Sequence, residues 1–442
     1  MGKDTRIDVL MQESREGSRQ LDGKCVAFLL PLLRQLAEHL DMRLVQTFIR
    51  LVKVILIHRH RNEGLWLSEL GGYLLAPLQA EAGRKRLTRF LHSARWRAKL
   101  IDDFLWQQAD QRVKELQALS SDVWLIWDES VIEKAESEKA EGLMPVRSSK
   151  ASRLVRRTPF AGKPIFVSGI AWFQLLVTGA RGHMTLAHMR WWTSRGKYAT
   201  TQRAVAAELL REVHKRWGQQ VVHLWDRGFA GRPWLHDALE CGVRFIVRWP
   251  ARYLLEDERG CSHKPSEFTR RHRSWGHGEL WDLRHRCKRK IGVAAVQVWL
   301  DGQPFRLVVA RRPNKAPWYF LTREPASTFE QAWRIVAGYT RRWQVEMSFR
   351  CNKTEFAFES PRQHDWEHRL KLLSMVTLAY AFLLSFLNPD QQELRTWLLD
   401  RWCHRTGRRN RETAAPLYRL RQAISRLWLA FPPNGLPLLN TG

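Results

Sequence analysis

The chain has 442 residues, of which 44% are hydrophobic, so it can bury a sizeable core and is not a largely disordered protein. Its 73 lysines and arginines outnumber its 44 aspartates and glutamates, and the resulting net charge of +29 favours a polyanionic partner, either nucleic acid or an acidic membrane surface. The longest nearly uncharged stretch, 372–387, is shorter than the ~20 residues of a membrane-spanning helix. No secretory signal is visible, and the six cysteines imply no disulfide framework. We therefore expect a cytoplasmic protein.

The spacing of apolar residues divides the chain into five predicted regions. The first has helical spacing, although its opening 20 residues are polar and expected to be frayed. Short apolar runs that alternate with helical segments then predict an α/β layer, and strand-like runs between turn signals predict a β-rich segment after it. Helices return toward the C-terminus and continue into a basic tail. The five regions are 1–119, 120–250, 251–325, 326–388 and 389–442.

Basic side chains cluster in the helical N-terminal region. The cluster consists of Arg84, Lys85, Arg86, Arg89, Arg95 and Arg97. A run of charge is most often a solvated helix face, whereas the global excess of positive charge favours DNA contact. Both interpretations remain open at this point.

Two aspartates follow short apolar runs that predict buried strands. Asp128 comes after 123–127, and Asp226 comes after 221–225. Because ligands of α/β sheets bind at strand ends, the two carboxylates are candidates for one site. Two such oxygen ligands brought together suit a divalent cation such as Mg²⁺ or Mn²⁺. The alternative is that each aspartate only caps the element that follows it.

A third motif carries four polar residues at offsets that fall on one stripe of a helix. These residues are Tyr339, Arg342, Glu346 and Lys353. Glu346 would complete a three-carboxylate metal site, while the arginine and lysine would bind phosphates. The alternative is a surface helix with an ion pair between Arg342 and Glu346.

Taken together, these motifs resemble those of the bacterial DDE transposases of the insertion-sequence-four family, which includes the transposase of the Tn-five transposon. The spacing of the four residues matches the signature Y-x-x-R-x-x-x-E-x-x-x-x-x-x-K, and the second aspartate stands in a D-x-G-[FY] motif that ends at Phe229. Residues 86–95 resemble the end-recognition region of such proteins. Glu129 departs from the pattern, since an uncharged residue is common there, and it either supports the site or is solvated.

The resemblance implies an α/β fold with an RNase H-like, retroviral-integrase-type core. The β-rich segment 251–325 would be an insertion into that core, and 1–119 would bind DNA ends. Asp128, Asp226 and Glu346 would be catalytic and hold two Mg²⁺ ions about 3.5–4 Å apart, with Mn²⁺ as a possible substitute. Tyr339, Arg342 and Lys353 would bind DNA phosphates, and Trp318 would stack on a flipped base, unless it is an ordinary core aromatic.

The resemblance also implies the partners and the reaction. The expected activity is cut-and-paste transposition through hairpin ends, by a homodimer on paired terminal inverted repeats and target DNA, at the nucleoid of a bacterial cell. A catalytically silent DNA-binding descendant and a Mg²⁺-dependent nuclease without strand transfer remain alternatives. The arginines of the tail would bind DNA or mediate pairing; they are Arg405, Arg408, Arg409, Arg411, Arg419 and Arg421.

A second metal site is a weaker hypothesis from the β-rich segment. Cys261, His263, His285 and Cys287 form a C-x-H…H-x-C pattern, and alternate residues on a strand share a face. The spacing is not that of a standard zinc finger, and the surrounding residues 270–290 are dense in arginine, lysine and histidine. A basic surface facing DNA is therefore the favoured interpretation.

Overall fold

The helices and strands below come from a computed structural model of the chain. It describes residues 4–58, 64–134, 137, 139–155, 162–282, 287–404 and 416–438. The helices are α1 (Asp4–Ala37), α2 (Met42–Ile57), α3 (Leu67–Leu75), α4 (Ala80–His92), α5 (Lys99–Ala118), α6 (Ser149–Leu154), α7 (Gln202–Trp217), α8 (Arg232–Glu240), α9 (Pro265–Thr269), α10 (Phe329–Thr340), α11 (Trp343–Arg350), α12 (Trp366–Ser385), α13 (Gln392–Arg401) and α14 (Leu417–Ala430).

The strands belong to one mixed sheet that runs through both the α/β layer and the β-rich segment. They are β1 (Trp124–Glu133), β2 (Met144–Arg147), β3 (Phe166–Thr178), β4 (Met184–Trp192), β5 (Val222–Trp225), β6 (Arg244–Trp249), β7 (Leu255–Glu256), β8 (Ser262–His263), β9 (Gly276–Asp282), β10 (Cys287–Leu300), β11 (Gln303–Arg312) and β12 (Lys315–Thr322).

The strand order places β1 next to β5. Strands β4, β3 and β1 are neighbours in that order and antiparallel, and β5 and β6 continue the sheet parallel to β1. On the far side of β6 the sheet continues antiparallel through β12, β11 and β10. The β-rich segment is therefore an extension of the central sheet rather than a separate layer.

Two hydrophobic cores cover the two faces of the sheet, because side chains of a strand alternate between faces. Trp124 and Ile126 of β1 lie in the core that also contains residues of α10 and α12. Leu125 and Trp127 lie in the core formed with α7 and α8 on the opposite face. Both faces of β1 are thus buried, as its continuous apolar run predicts.

The N-terminal helices pack against the C-terminal ones. Helix α1 starts at Asp4, and the Ser18 hydroxyl donates a hydrogen bond to the Phe431 carbonyl at 2.7 Å, so the prediction of a frayed start is wrong for the described residues. Lys371 of α12 donates to the carbonyls of Leu91 and Ser93 at the end of α4, at 3.0 and 2.8 Å. The contact of Ser18 with Phe431 explains why the polar N-terminal segment forms part of an ordered helix.

Helix α12 is buried on nearly all sides and forms the centre of the helical layer. Within the described ranges, no single helix is long and apolar enough to cross a membrane. The helices at 366–385 and 389–401 pass such a test of length and composition only as a pair, and that pair is bent by 84°.

Two fully buried histidines should make the fold sensitive to acid. His188 stacks on Trp106 with ring centres 5.0 Å apart, and His223 lies 5.5 Å from Trp127. Burial lowers the pKa of each histidine from 6.5 to about 3, so the folded state holds both rings neutral. Their contribution to stability is complete above pH ~6.5 and is lost as the pH falls toward 3.

We expect His223→Phe to weaken this acid sensitivity. Protonating a buried ring opposes folding, so the variant, which keeps only one of the two rings, should lose less stability between pH 7 and pH 4 than the wild type. Urea unfolding across that pH range measures the effect. His39→Gln, which removes an exposed histidine, should follow the wild-type pH dependence. An unchanged acid limb in His223→Phe would contradict the assignment.

Candidate active site

The parallel strands β1 and β5 bring Asp128 and Asp226 to the same level of the sheet. Ile126 pairs with Leu224 in the register of the two strands, so two residues further along each chain the aspartates come close enough for the charge of Asp226 to act on Asp128. Strand β5 ends just before Asp226, as expected. The prediction that Asp128 ends its strand is wrong, because β1 continues to Glu133. The polar second half of β1 stays extended because it pairs with the long strand β3.

Burial and mutual repulsion raise the free energy of ionising Asp128. Burial raises its pKa to about 7, the charge of Asp226 adds to the rise, and Arg342 opposes it. Asp226 also has the capping role considered above, since its Oδ1 accepts a hydrogen bond of 2.6 Å from the Gly228 amide. The pair is therefore a place where extra positive charge would be stabilising.

Arg342 connects the first aspartate to Glu346. Its Nη1 donates to Asp128 Oδ2 at 2.8 Å, and its Nη2 donates to Glu346 Oε1. Its guanidinium carbon lies 5.8 Å from the ring centre of Tyr339. Burial opposes the charge of Arg342, but Tyr339 and the two carboxylates outweigh it and raise its pKa. Three of the four motif residues thus meet beside Asp128.

The four motif residues do not share one continuous helix, contrary to the prediction. Helix α10 ends at Thr340 and α11 begins at Trp343, so Arg342 lies at the junction. Lys353 falls in a π-helical turn after α11. These breaks change the angular offsets, and convergence is achieved by side-chain contacts between consecutive helices.

Lys353 lies beside a later part of β1 than Asp128 does. Its ammonium is 5.4 Å from the ring centre of Trp172, which pairs with Ser130 in the sheet register. Ser130 is two residues, or ~6.6 Å, beyond Asp128 on the same face of the strand. Burial lowers the pKa of Lys353. Within the described residues, no hydrogen bond or ion pair joins Lys353 to the three carboxylates.

Trp318 packs against the edge of the core and has two arginines near its ring. It is partly exposed on β12, with the guanidinium carbons of Arg248 and Arg312 at 5.1 and 4.4 Å from its ring centre. Arg248 also comes within hydrogen-bonding reach of Tyr339. Trp318 is therefore connected to Arg342 through contacts of Arg248 and Tyr339.

Arg248 is a candidate functional residue that sequence reasoning missed. It lies on β6 inside the apolar run 245–249, and its strongest cationic neighbours are Arg227 and Arg312. Burial lowers its pKa. The available signal was a lone arginine within a buried strand close in sequence to Asp226, since buried charges are rare without a partner or a role.

Glu129 faces away from this group. Its carboxylate accepts hydrogen bonds from the Trp192 indole at 2.9 Å and from Gln202, on the face opposite to Asp128. Burial raises its pKa to about 7, and these two donors offset part of the rise. Its backbone amide donates a hydrogen bond of 2.9 Å to Asp128 Oδ1, and the charge of Asp128 adds to the rise in its pKa, so Glu129 supports the site although its carboxylate points elsewhere.

The carboxylates of the site are not drawn together as tightly as metal ligands. Among the described residues, the one group of three possible ligands whose donor atoms all lie within 4.8 Å of one another is His236, Asp237 and Glu240 on α8. That group is largely exposed, and Arg203 pairs with Asp237 at 3.0 Å. Asp128, Asp226 and Glu346 do not meet this distance criterion.

The weaker zinc hypothesis gains no support from the described residues. His285 lies outside them, and Cys261 and Cys287 are exposed free thiols. The His263 ring instead lies near two carboxylates, at 3.3 Å from Asp257 and 3.7 Å from Glu267.

The basic residues of both termini divide into exposed and structural ones. Of the tail arginines, 405, 408, 409 and 411 lie outside the described residues. Arg419 and Arg421 are buried, and Arg421 donates to the Ile55 carbonyl at 2.7 Å, so the prediction that these two bind DNA or mediate pairing is wrong. In the N-terminal cluster Arg84 pairs with Glu81, whereas the exposed members are Lys85, Arg89, Arg95 and Arg97.

Comparison with known proteins finds a family similar to the segment that carries part of this site. Residues 195–382 match the family described as "Transposase DDE domain", a span that includes Asp226 and Glu346 but not Asp128. No curated protein matches the chain. Among solved structures, a cryo-EM structure of a piggyBac transposase synaptic complex with hairpin DNA is similar, at 11% identity and a TM-score of 0.43, covering 98% of this chain and 86% of that chain. Residues 195–382, which carry the second aspartate and the glutamate of the site, are thus similar to the transposase DDE domain family.

Proposed function

We propose that the chain is a transposase that cleaves DNA strands at the ends of an insertion sequence and transfers them to target DNA. The observation that carries this proposal is the position of Asp128 on β1 near Asp226, which directly follows the parallel strand β5, with Arg342 joining Asp128 to Glu346. The strand order β4-β3-β1-β5-β6, antiparallel and then parallel, supports an RNase H-like core. Membership of the insertion-sequence-four family is proposed from the matched signature.

The donor set fits a divalent cation. Three carboxylates supply hard oxygen ligands of the kind that Mg²⁺ and Mn²⁺ prefer. The raised pKa of Asp128, to which Asp226 contributes, shows that the aspartate pair gains from added positive charge. We propose that Asp128, Asp226 and Glu346 hold two Mg²⁺ ions. Bound Mg²⁺ would supply stabilisation of charge on the attacking and leaving oxygens.

The remaining residues would bind and orient the DNA strand. Lys353, along β1 from the carboxylates, offers a point charge to the next phosphate, and Arg342 offers a planar fork. Arg248 and Arg312 lie next to one another, and a phosphate between them would relieve their repulsion. Tyr339 packs on Phe320 with ring centres 4.7 Å apart. This contact holds the Tyr339 ring in place between Arg248 and Arg342.

Trp318 is proposed to stack on a base flipped out of the DNA end. Because base–aromatic stacking contributes about 1–3 kcal/mol, we expect Trp318→Ala to slow cleavage about 10- to 100-fold, with most activity retained in Trp318→Phe. Fluorescence of 2-aminopurine placed near the cleaved end should fall on binding to the wild type and change little with Trp318→Ala. Equal fluorescence changes in both proteins would argue against stacking.

A second DNA contact is proposed for the ribbon formed by β9 and the start of β10. Strand β10 pairs with β9 over 287–293 but with β11 only from Gly292, so residues 279–282 and 287–290 extend as two strands beyond the sheet. The outer face of this ribbon exposes Trp281 and Lys288. A two-stranded ribbon fits the major groove of B-DNA.

The base of that ribbon is fixed on α10. A Cβ at Gly276 would lie 2.7 Å from the ring of Phe329, so the strand approaches the helix closely. We further propose that the exposed arginines of 84–97 contact the terminal repeats. A homodimer on paired ends would act in the bacterial cytoplasm, at the nucleoid, with hairpin-ended intermediates.

The products formed from DNA that flanks the coding segment separate this proposal from its alternatives. The transposase predicts Mg²⁺-dependent cleavage at a defined position and joined products. Cleavage without joining would indicate a nuclease, and binding without cleavage would indicate a silent DNA-binding descendant. Denaturing gel electrophoresis of end-labelled duplexes distinguishes the three results.

A further inference from the structure

Arg342 occupies the space between two of the proposed metal ligands. Its two Nη atoms each take one carboxylate oxygen, from Asp128 and from Glu346, and its side chain is only 14% exposed. We refer to these two contacts as the Arg342 bridge. The guanidinium lies between these two carboxylates and donates to both, at 2.8 Å to Asp128 Oδ2.

The bridge and a shared cation compete for the same two carboxylates. A guanidinium and a divalent ion within ~4 Å of one another would repel strongly in a buried site. The bridge therefore neutralises the carboxylates and weakens the binding of divalent ions to them. Ion binding requires Arg342 to move, after which Glu346 can approach Asp128.

Arg342 could donate to a DNA phosphate in place of the two carboxylates. Its Nε is buried without a well-formed hydrogen bond within the described residues, and Tyr339 lies alongside. A phosphate would accept the fork of N–H groups at least as well as two separate carboxylates do. The bridge can thus be exchanged for a phosphate contact without leaving the guanidinium unpaired.

We propose that Arg342 is a positioning residue that couples DNA binding to the binding of divalent ions. A DNA phosphate draws it away from Asp128 and Glu346, and so permits divalent ions to bind. This inference rests on the proposed function. Because such coupling is reciprocal, divalent ions also strengthen DNA binding by the same factor. The site assembles its metal ligands only when the DNA strand is present, which limits cleavage elsewhere.

Mn²⁺ binding to the full chain, followed by electron paramagnetic resonance, tests the proposal without measuring activity. Without DNA, Arg342→Gln should bind Mn²⁺ about 10-fold more tightly than the wild type, because the competing bridge is gone. Arg342→Lys, whose single ammonium cannot bridge both carboxylates, should fall between them. Arg350→Gln removes an exposed arginine at the end of α11 and should match the wild type.

Adding a 30-base-pair duplex should raise the Mn²⁺ affinity of the wild type more than that of Arg342→Gln, after subtraction of Mn²⁺ bound by DNA alone. If Arg342→Gln binds Mn²⁺ no more tightly than the wild type while Asp226→Asn abolishes binding, the metal site stands and the coupling is refuted. If Asp226→Asn has no effect on Mn²⁺ binding, the metal site is refuted and the coupling with it.

Discussion

Replacing Glu346 by glutamine is expected to lower DNA cleavage at least about 10³-fold while leaving DNA binding within a factor of a few. The carboxylate is one of three proposed metal ligands, and metal stabilisation of a phosphoryl transition state amounts to several kcal/mol. Glutamine has nearly the same shape but no charge. It would also turn one ion pair of the Arg342 bridge into a hydrogen bond to a neutral amide oxygen.

A matched control makes this result interpretable. Glu393→Gln makes the same chemical change on an exposed position of α13 and should cleave DNA at the wild-type rate. Single-turnover cleavage and a filter-binding isotherm, measured on the same duplex, give the two quantities. Near-normal cleavage by Glu346→Gln would remove Glu346 from the proposed catalytic set.

The largest effect on stability is expected at a buried ion pair far from the site. Lys53 of α2 contacts Asp22 of α1, and their side chains are 3% and 6% exposed. Lys53 also donates to the Asn434 carbonyl at 3.2 Å, so the pair holds two helices and the C-terminal segment together. Lys53→Met should cost about 3–5 kcal/mol, because Asp22 would be left as an uncompensated buried charge.

Two further variants separate charge from packing. Asp22→Leu combined with Lys53→Met should recover most of the lost stability, because apolar replacements of buried ion pairs are often neutral. Lys99→Met breaks the exposed pair with Asp103 and should cost less than ~1 kcal/mol. The midpoint of urea unfolding reports all three. A cost below ~1 kcal/mol for Lys53→Met would contradict the predicted role of this pair.

The strands that carry Asp128 and Asp226 could be predicted because both are continuous apolar runs, which mark strands buried on two faces. The extent of β1 could not. Residues 128–133 are mixed in polarity, and they stay extended because each pairs with β3, a contact that local periodicity does not reveal.

The site could be predicted in its residues but not in its arrangement. The spacing of Tyr339, Arg342 and Glu346 indicates a shared function, yet helical geometry alone places them on one uninterrupted helix. The structure breaks that helix at 341–342, and this break directs Arg342 toward Asp128, more than 200 positions earlier in the chain. Contacts at such separation depend on the packing of the whole sheet.

The order of the N-terminal helix was missed for a similar reason. Residues 1–20 are polar in sequence, and the contact of Ser18 with Phe431 joins segments at opposite ends of the chain. Arg419 and Arg421 illustrate the reverse error, since a basic run suggests a surface but Arg421 is buried where it bonds the carbonyls at the end of α2. Composition predicts charge, whereas burial depends on the fold.

Strand transfer by a pre-cleaved end tests the central claim most directly. A duplex that carries the sequence flanking the coding segment, with a free 3′-OH, is incubated with the protein and a supercoiled plasmid. We expect joined product with Mg²⁺ or Mn²⁺, and none with EDTA or with Glu346→Gln. Stable binding of the duplex without joined product in either metal would contradict the assignment of this chain as a transposase.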